Sequence, residues 1–233
     1  MSIVVPAVLT PSLEDLTEKL GRFAHIPSIT RVQIDVVDGR FATPASWPYT
    51  APQEMRDMNA RGEMLPNLDR IEYEMDLMCN DADEAAGAWL ALGASRLTFH
   101  AESTTDLSRL LASARRKYGD DFITFGLALN IASDLSLIEP YLPQVSYVQF
   151  MGIATIGRQG QPFDRRVLGN VRSFRSRHPE IPVQIDGAVS LETAPSLLAL
   201  GVSNLIVGSA ILRAANPSAE VAKFEALATP FGV

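Results

Sequence analysis

The chain carries a single cysteine, Cys79, in 233 residues, which excludes an intramolecular disulfide and favours a reducing, cytoplasmic setting. Lysine is almost as scarce. Lys19, Lys117 and Lys223 each fall in a stretch with amphipathic helical spacing, so none is placed for imine chemistry in a cleft. Three histidines, His25, His100 and His178, lie far apart, and there is no H-E-x-x-H, Cys/His zinc spacing, P-loop or G-x-S-x-G. No apolar run approaches the about 20 residues needed to span a bilayer. The opening Met-Ser-Ile-Val-Val-Pro lacks the basic region of a signal peptide. Positive charge is also short: 20 Lys and Arg against 27 Asp and Glu leave a formal net charge of −7. That balance argues against a nucleic acid or an anionic membrane as partner.

What is present is apolar mass. Hydrophobic residues make up 47% and charged residues 20%, enough for a large core and unlike a disordered tail or a charged coiled coil. Strand patterns over residues 3–9, 31–37, 70–78, 96–101, 123–130, 146–151, 182–186 and 204–207 alternate with helical ones. The helical stretches cover 13–23, 82–92, 106–118, 165–177, 191–200 and 219–228. The first has Leu13, Leu16, Leu20 and Phe23 on one face, with Ser12 and Asp15 spaced as a capping box. Eight strands alternating with helical stretches at about one domain's length predict an α/β protein forming a (β/α)8 TIM barrel, a single domain over 1–233. An internal echo agrees: Leu90-Ala91-Leu92-Gly93-Ala94-Ser95 returns as Leu198-Ala199-Leu200-Gly201-Val202-Ser203, each glycine ending a helix before a strand.

Strands in such a barrel are covered on both faces and should be apolar throughout. Several are not. Gln33 and Asp35 share one parity, as do Glu72, Glu74 and Asp76, then Arg96, Thr98, His100 and Glu102, then Gln184 and Asp186. The apolar parity must meet the helices, so the polar one points into the barrel. Asp35, Asp76, Glu102 and Asp186 end their strands, where barrel enzymes keep their sites. Parallel pairing is expected to set Glu72 beside Arg96 and Asp76 beside His100, the deeper pair serving as scaffold. Glycine-rich turns follow the last strands: Gly157-Arg158-Gln159-Gly160-Gln161, Asp186-Gly187-Ala188 and Gly208-Ser209-Ala210. Backbone N–H groups there suit a phosphate, with Arg158 adding a charge. The apolar loop 47–52 is expected to cover the site or pack on a second subunit, in a homo-oligomer.

Taken in order, these stretches resemble the ribulose-phosphate 3-epimerase family across nearly the whole chain. Pro6-Ala7-Val8-Leu9-Thr10 is similar to its P-S-I-L-S, and Gln33-Ile34-Asp35-Val36-Val37-Asp38-Gly39-Arg40-Phe41 to its H-x-D-V-M-D-G-x-F. Asp76-Leu77-Met78 stands where the family has H-L-M, and His100-Ala101-Glu102 matches H-x-E. Gly126-Leu127-Ala128-Leu129-Asn130 matches a family strand end, and Gly157 to Phe163 resembles the phosphate loop G-F-G-G-Q-S-F. Asp186-Gly187-Ala188-Val189 and Gly208-Ser209-Ala210-Ile211 resemble D-G-G-V and G-S-A-I-F.

The resemblance implies a ribulose-phosphate-binding barrel and a divalent-metal epimerase that inverts the carbon beside the ketone of a phosphorylated sugar. Inversion through a planar enediolate needs a base on one face and an acid on the other, roles that suit Asp35 and Asp186. The implied metal set is Gln33, Asp35, Asp76 and Asp186. Gln33 and Asp76 stand where the family has histidines, and the all-oxygen set favours Mg²⁺ or Mn²⁺ over Zn²⁺. A metal-free site is the alternative; at least one of its three carboxyls should then keep a proton at neutral pH. The implied phosphate contacts are Gly157, Arg158, Gly160, Gln161, Gly187, Gly208 and Ser209. Ala7, Met78, His100 and Met151 are expected in the substrate pocket, Ala7 replacing a serine; Val37 replaces a methionine. Two other functions remain open: a different sugar-phosphate isomerase or lyase, or a non-catalytic sugar-phosphate binder. The D-x-K-x-x-D pattern of related decarboxylases is absent from 35–38.

Overall fold

In a computed structural model, which describes residues 2–119 and 122–228, the strand–helix alternation closes into a ring. β1 (Val4–Val8), β2 (Arg31–Val37), β3 (Glu72–Met78), β4 (Arg96–His100), β5 (Thr124–Leu129), β6 (Tyr147–Met151), β7 (Val183–Asp186) and β8 (Asn204–Val207) pair in parallel and in sequence order. β8 returns to β1. The helices are α1 (Leu13–Ala24), α2 (Pro52–Ala60), α3 (Ala82–Ala91), α4 (Leu107–Tyr118), α5 (Arg166–Arg177), α6 (Ala194–Leu198), α7 (Ser209–Leu212) and α8 (Pro217–Ala228).

Local chemistry explains most boundaries. Ser12 Oγ accepts from Asp15 N–H at 3.2 Å and starts α1, which buries Leu16, Leu20 and Phe23. The two echoed glycines, Gly93 and Gly201, take φ of +97° and +75°, so the helix–strand junction needs them. Two departures have clear causes. α2 carries too little apolar periodicity to be read from sequence, burying only Met55 and Met58 beneath a Pro52 start. The β5–β6 connection holds two 3-10 turns, Leu135–Leu137 and Glu139–Gln144, where the alternation predicts an α-helix; Pro140 and Pro143 remove the donors a longer helix requires.

The expected register is wrong by two residues. Arg96 pairs with Glu74 and Asp76 with Thr98, not with Glu72 and His100. Strands in a closed barrel are staggered along its axis, which sequence patterning does not reveal. A slip of two preserves parity, so the polar set still faces inward, and side chains meet diagonally. Glu74, completely buried, is the centre of the lower interior. Its carboxylate accepts from Arg96 Nε, Thr98 Oγ1 and Tyr147 Oη, each at 3.1 Å, and from Gln184 Nε2, with Arg31 Nη1 at 3.6 Å. Such pairing is what a charge inside a protein requires. Gly126 makes room for the Tyr147 ring, since a Cβ there would lie 2.3 Å from it.

The loop after β2 also corrects an expectation. Trp47 is buried; its Nε1 donates to Glu54 at 2.9 Å and its ring meets Trp89 edge-on at 5.4 Å. That side chain belongs to the chain's own core and is not offered to a second subunit. Asp38 organises the same loop, its Oδ1 accepting from the N–H of Arg40 and Phe41 and its Oδ2 from that of Asn80.

Candidate active site

The inward parity delivers four polar side chains to the C-terminal mouth of the barrel. Asp35 and Asp76 sit side by side in register on β2 and β3, and Asp186 arrives from β7. One oxygen from each lies within 4.8 Å of the others. Gln33 Nε2 donates to Asp35 Oδ1 and to Asp186 Oδ2, both at 2.9 Å. The amide thus joins the two aspartates expected to trade a proton. The second oxygen of each makes no hydrogen bond with a described residue, and both side chains reach the wall of the pocket above.

Three carboxyls so close and so buried cannot all ionise freely. Burial, with Asp186 and Asp76 adding repulsion, pushes Asp35 well above the usual carboxylate range. Burial first, and Asp76 second, raise Asp186 to about 7, although Gln33 and His100 oppose the rise. His100 Nε2 lies 3.1 Å from Asp76 Oδ1. Burial works against the imidazolium, yet the Asp76 carboxylate lifts His100 above its ordinary value.

The residues fit a divalent cation. Three carboxylates converge, and two buried oxygens, Asp76 Oδ2 and Gln33 Oε1, have no hydrogen-bond partner. Gln33 departs from its expected role as ligand in one respect: its nitrogen, not its oxygen, faces the carboxylates. A half-turn of the amide exchanges the donor for an oxygen ligand.

The expected phosphate residues Gly157, Arg158, Gly160, Gln161, Gly187, Gly208 and Ser209 all line the same pocket, as do Ala7, Met78 and Met151. Gly187, with φ of +105°, would place a Cβ 2.8 Å from Ile153. Ala188 beside it holds φ of +54°, a left-handed conformation unusual for a residue with a Cβ. Arg158 lines it from the exposed rim, its Nε donating to Thr43 O at 3.1 Å. Two expectations need correction. His100 is completely buried behind Asp76 and does not reach the pocket wall. Glu102 turns away in a 3-10 turn, Ala101–Ser103, where its Oε1 accepts from Asn130 N–H at 2.8 Å.

Sequence reasoning passed over Gln159. Its side chain lies against Gly208, where a Cβ would be 3.0 Å from Gln159 Nε2. The family pattern singles out Gln161 in this loop, and nothing in the sequence marks Gln159 two residues before it.

Comparison with known proteins finds relatives along nearly the whole chain. A ribulose-phosphate 3-epimerase from Schizosaccharomyces pombe is 23% identical over 214 residues, covering 92% of this chain and 88% of that protein. One from Mycobacterium leprae is 28% identical over 227 residues, covering 94% and 92%. Among solved structures, 3-hexulose-6-phosphate synthase matches with a TM-score of 0.69 at 18% identity, covering 97% of this chain and 99% of that one. A 3-keto-L-gulonate-6-phosphate decarboxylase from Vibrio cholerae matches with a TM-score of 0.68 at 13% identity, covering 100% and 99%. Identities that low speak to the barrel alone. The model of the ribulose-phosphate 3-epimerase family matches residues 3–212, and the chain belongs to that family of carbohydrate isomerases.

Proposed function

We propose that the protein inverts the carbon next to the ketone of a phosphorylated ketopentose, interconverting ribulose 5-phosphate and xylulose 5-phosphate or a close analogue. One observation carries this reading: Asp35 and Asp186, from well-separated strands, share one amide donor and open onto one pocket whose far wall is glycine-rich. The phosphate lies against Gly157, Gly160, Gly187 and Gly208, where backbone N–H groups and Ser209 receive it, with Arg158 at the rim of the same pocket. The sugar carbon then sits between the two aspartates.

Each aspartate is suited to its task by its surroundings. A carboxyl of ordinary pKa is a weak base, and burial beside like charges strengthens it. One aspartate removes the α-proton from its face while the other, protonated, returns a proton to the opposite face. The chain is symmetric in this respect, since the reverse reaction exchanges the roles. Gln33 holds both carboxylates by one oxygen each, leaving the second oxygen of each for the substrate. Met78 and Met151 supply an apolar wall that keeps water from the planar intermediate.

Asp35, Asp76 and Asp186, joined by Gln33 only after a half-turn of its amide gives up the two donated hydrogen bonds, would hold a divalent cation, with Mg²⁺ or Mn²⁺ preferred by oxygen donors. Bound there, it supplies Lewis-acid stabilisation of the oxyanion that develops when the proton leaves. The test is interconversion of ribulose and xylulose 5-phosphates with added Mn²⁺, Mg²⁺ or Zn²⁺, read with exchange of the α-proton for deuterium. Turnover that disappears in Asp35→Asn and in Asp186→Asn supports the reading. No turnover and no exchange with any cation would reject it.

A further inference from the structure

Asp76 differs from its two neighbours. Asp35 and Asp186 reach the pocket wall, whereas Asp76 is completely buried beneath it. Its two oxygens have unlike surroundings. Oδ1 meets His100 Nε2 at 3.1 Å, and Oδ2 is buried with no hydrogen-bond partner. His100 is itself completely buried, and Asp76 is the imidazole's only hydrogen-bond partner among the described residues; Nδ1 has none. Both are fixed from strands, Asp76 from β3 and His100 from the last position of β4. The imidazole is packed against Phe41, with ring centroids 5.5 Å apart, so it cannot swing aside without disturbing the loop after β2.

The geometry points to His100 as a positioning residue for cation binding: by occupying Asp76 Oδ1 it sets the carboxylate plane and leaves Oδ2 as a single, oriented ligand oxygen. This rests on the reading that the three aspartates hold a divalent cation. An isolated carboxylate can chelate through both oxygens or rotate, and a donor on one oxygen removes that freedom. The Asp76–His100 pair thereby does the work of one rigid ligand at a position where the family resemblance places an imidazole. Gln33 has no such support on its oxygen, so Asp76 is the better-defined of the two departures.

The experiment is Mn²⁺ titration of the substrate-free protein, followed by the electron paramagnetic resonance of free Mn²⁺ and by calorimetry. Wild type is compared with His100→Leu and His100→Gln, which have similar volume and differ in the donor. Loss of an outer-shell partner typically weakens metal binding about 10–100-fold, and that loss is expected for His100→Leu. His100→Gln, whose amide nitrogen can donate to Asp76, should recover most of it. Unfolding midpoints in chelator identify any variant whose fold is compromised; His100→Leu, which leaves Asp76 Oδ1 unpaired, should unfold below His100→Gln, and both titrations are run well below either midpoint. Wild-type affinity in His100→Leu overturns the inference and leaves the catalytic reading intact, as does equal weakening in both variants. Failure of wild type to bind Mn²⁺ overturns the cation site and this inference together.

Discussion

Neutralising Asp186 should make the cation-free protein more stable at alkaline pH. Burial, then Asp76, raises this carboxyl from an ordinary 3.8 to about 7. A group that holds its proton more tightly when folded contributes stability that is complete below 3.8 and is lost as the pH rises through about 7. The span is about three pH units at about 1.4 kcal/mol each, so the ionised side chain costs roughly 4 kcal/mol near pH 8. For a protein of this size each kcal/mol moves the unfolding midpoint by about 2–4 °C. Asp186→Asn, nearly isosteric and uncharged, should therefore unfold about 10 °C above wild type near pH 8 in chelator. The two curves should converge as the pH falls toward 4. Saturating Mn²⁺ should close most of that gap, since a ligand at about 100 times its Kd stabilises by about 2.7 kcal/mol, and the variant lacks one of the charges that hold it. Scanning calorimetry across this pH range, with and without Mn²⁺, makes the measurement. Midpoints of wild type and variant that run parallel in chelator would show that the three carboxyls do not share a desolvated site.

Glu74→Gln should destabilise the fold by about 3 kcal/mol, because it leaves Arg96 and Arg31 without their buried counter-charge; urea unfolding at neutral pH measures it. Ala188→Gly should stabilise by about 1 kcal/mol by relieving the left-handed backbone at φ of +54°, seen as a rise in unfolding midpoint. Gln159→Glu, which sets a carboxylate against Gly208 at the proposed phosphate end of the pocket, should raise KM for a sugar phosphate at least about tenfold with kcat little changed. Steady-state kinetics separate the two, and an unchanged KM would place the phosphate elsewhere.

Local sequence determined the architecture and the composition of the site. Apolar parity against the helices forces Gln33, Asp35, Glu74, Asp76, His100 and Asp186 into the barrel in any register related by an even slip, because only an odd slip would turn them out. Glycines at 93 and 201 marked helix ends, and the order of short motifs marked the mouth of the barrel. Relations between strands were not legible. The two-residue stagger of β3 against β4 is set by ring closure, a property of all eight strands together. Glu102 and His100 fit one motif, yet one caps Asn130 and the other supports Asp76. Arg158 lies in the phosphate loop by sequence and turns to Thr43 in space. Patterning decides which face a side chain takes, since that depends on its own strand alone; the partner it finds there depends on where other strands stop, and only the closed tertiary structure decides that.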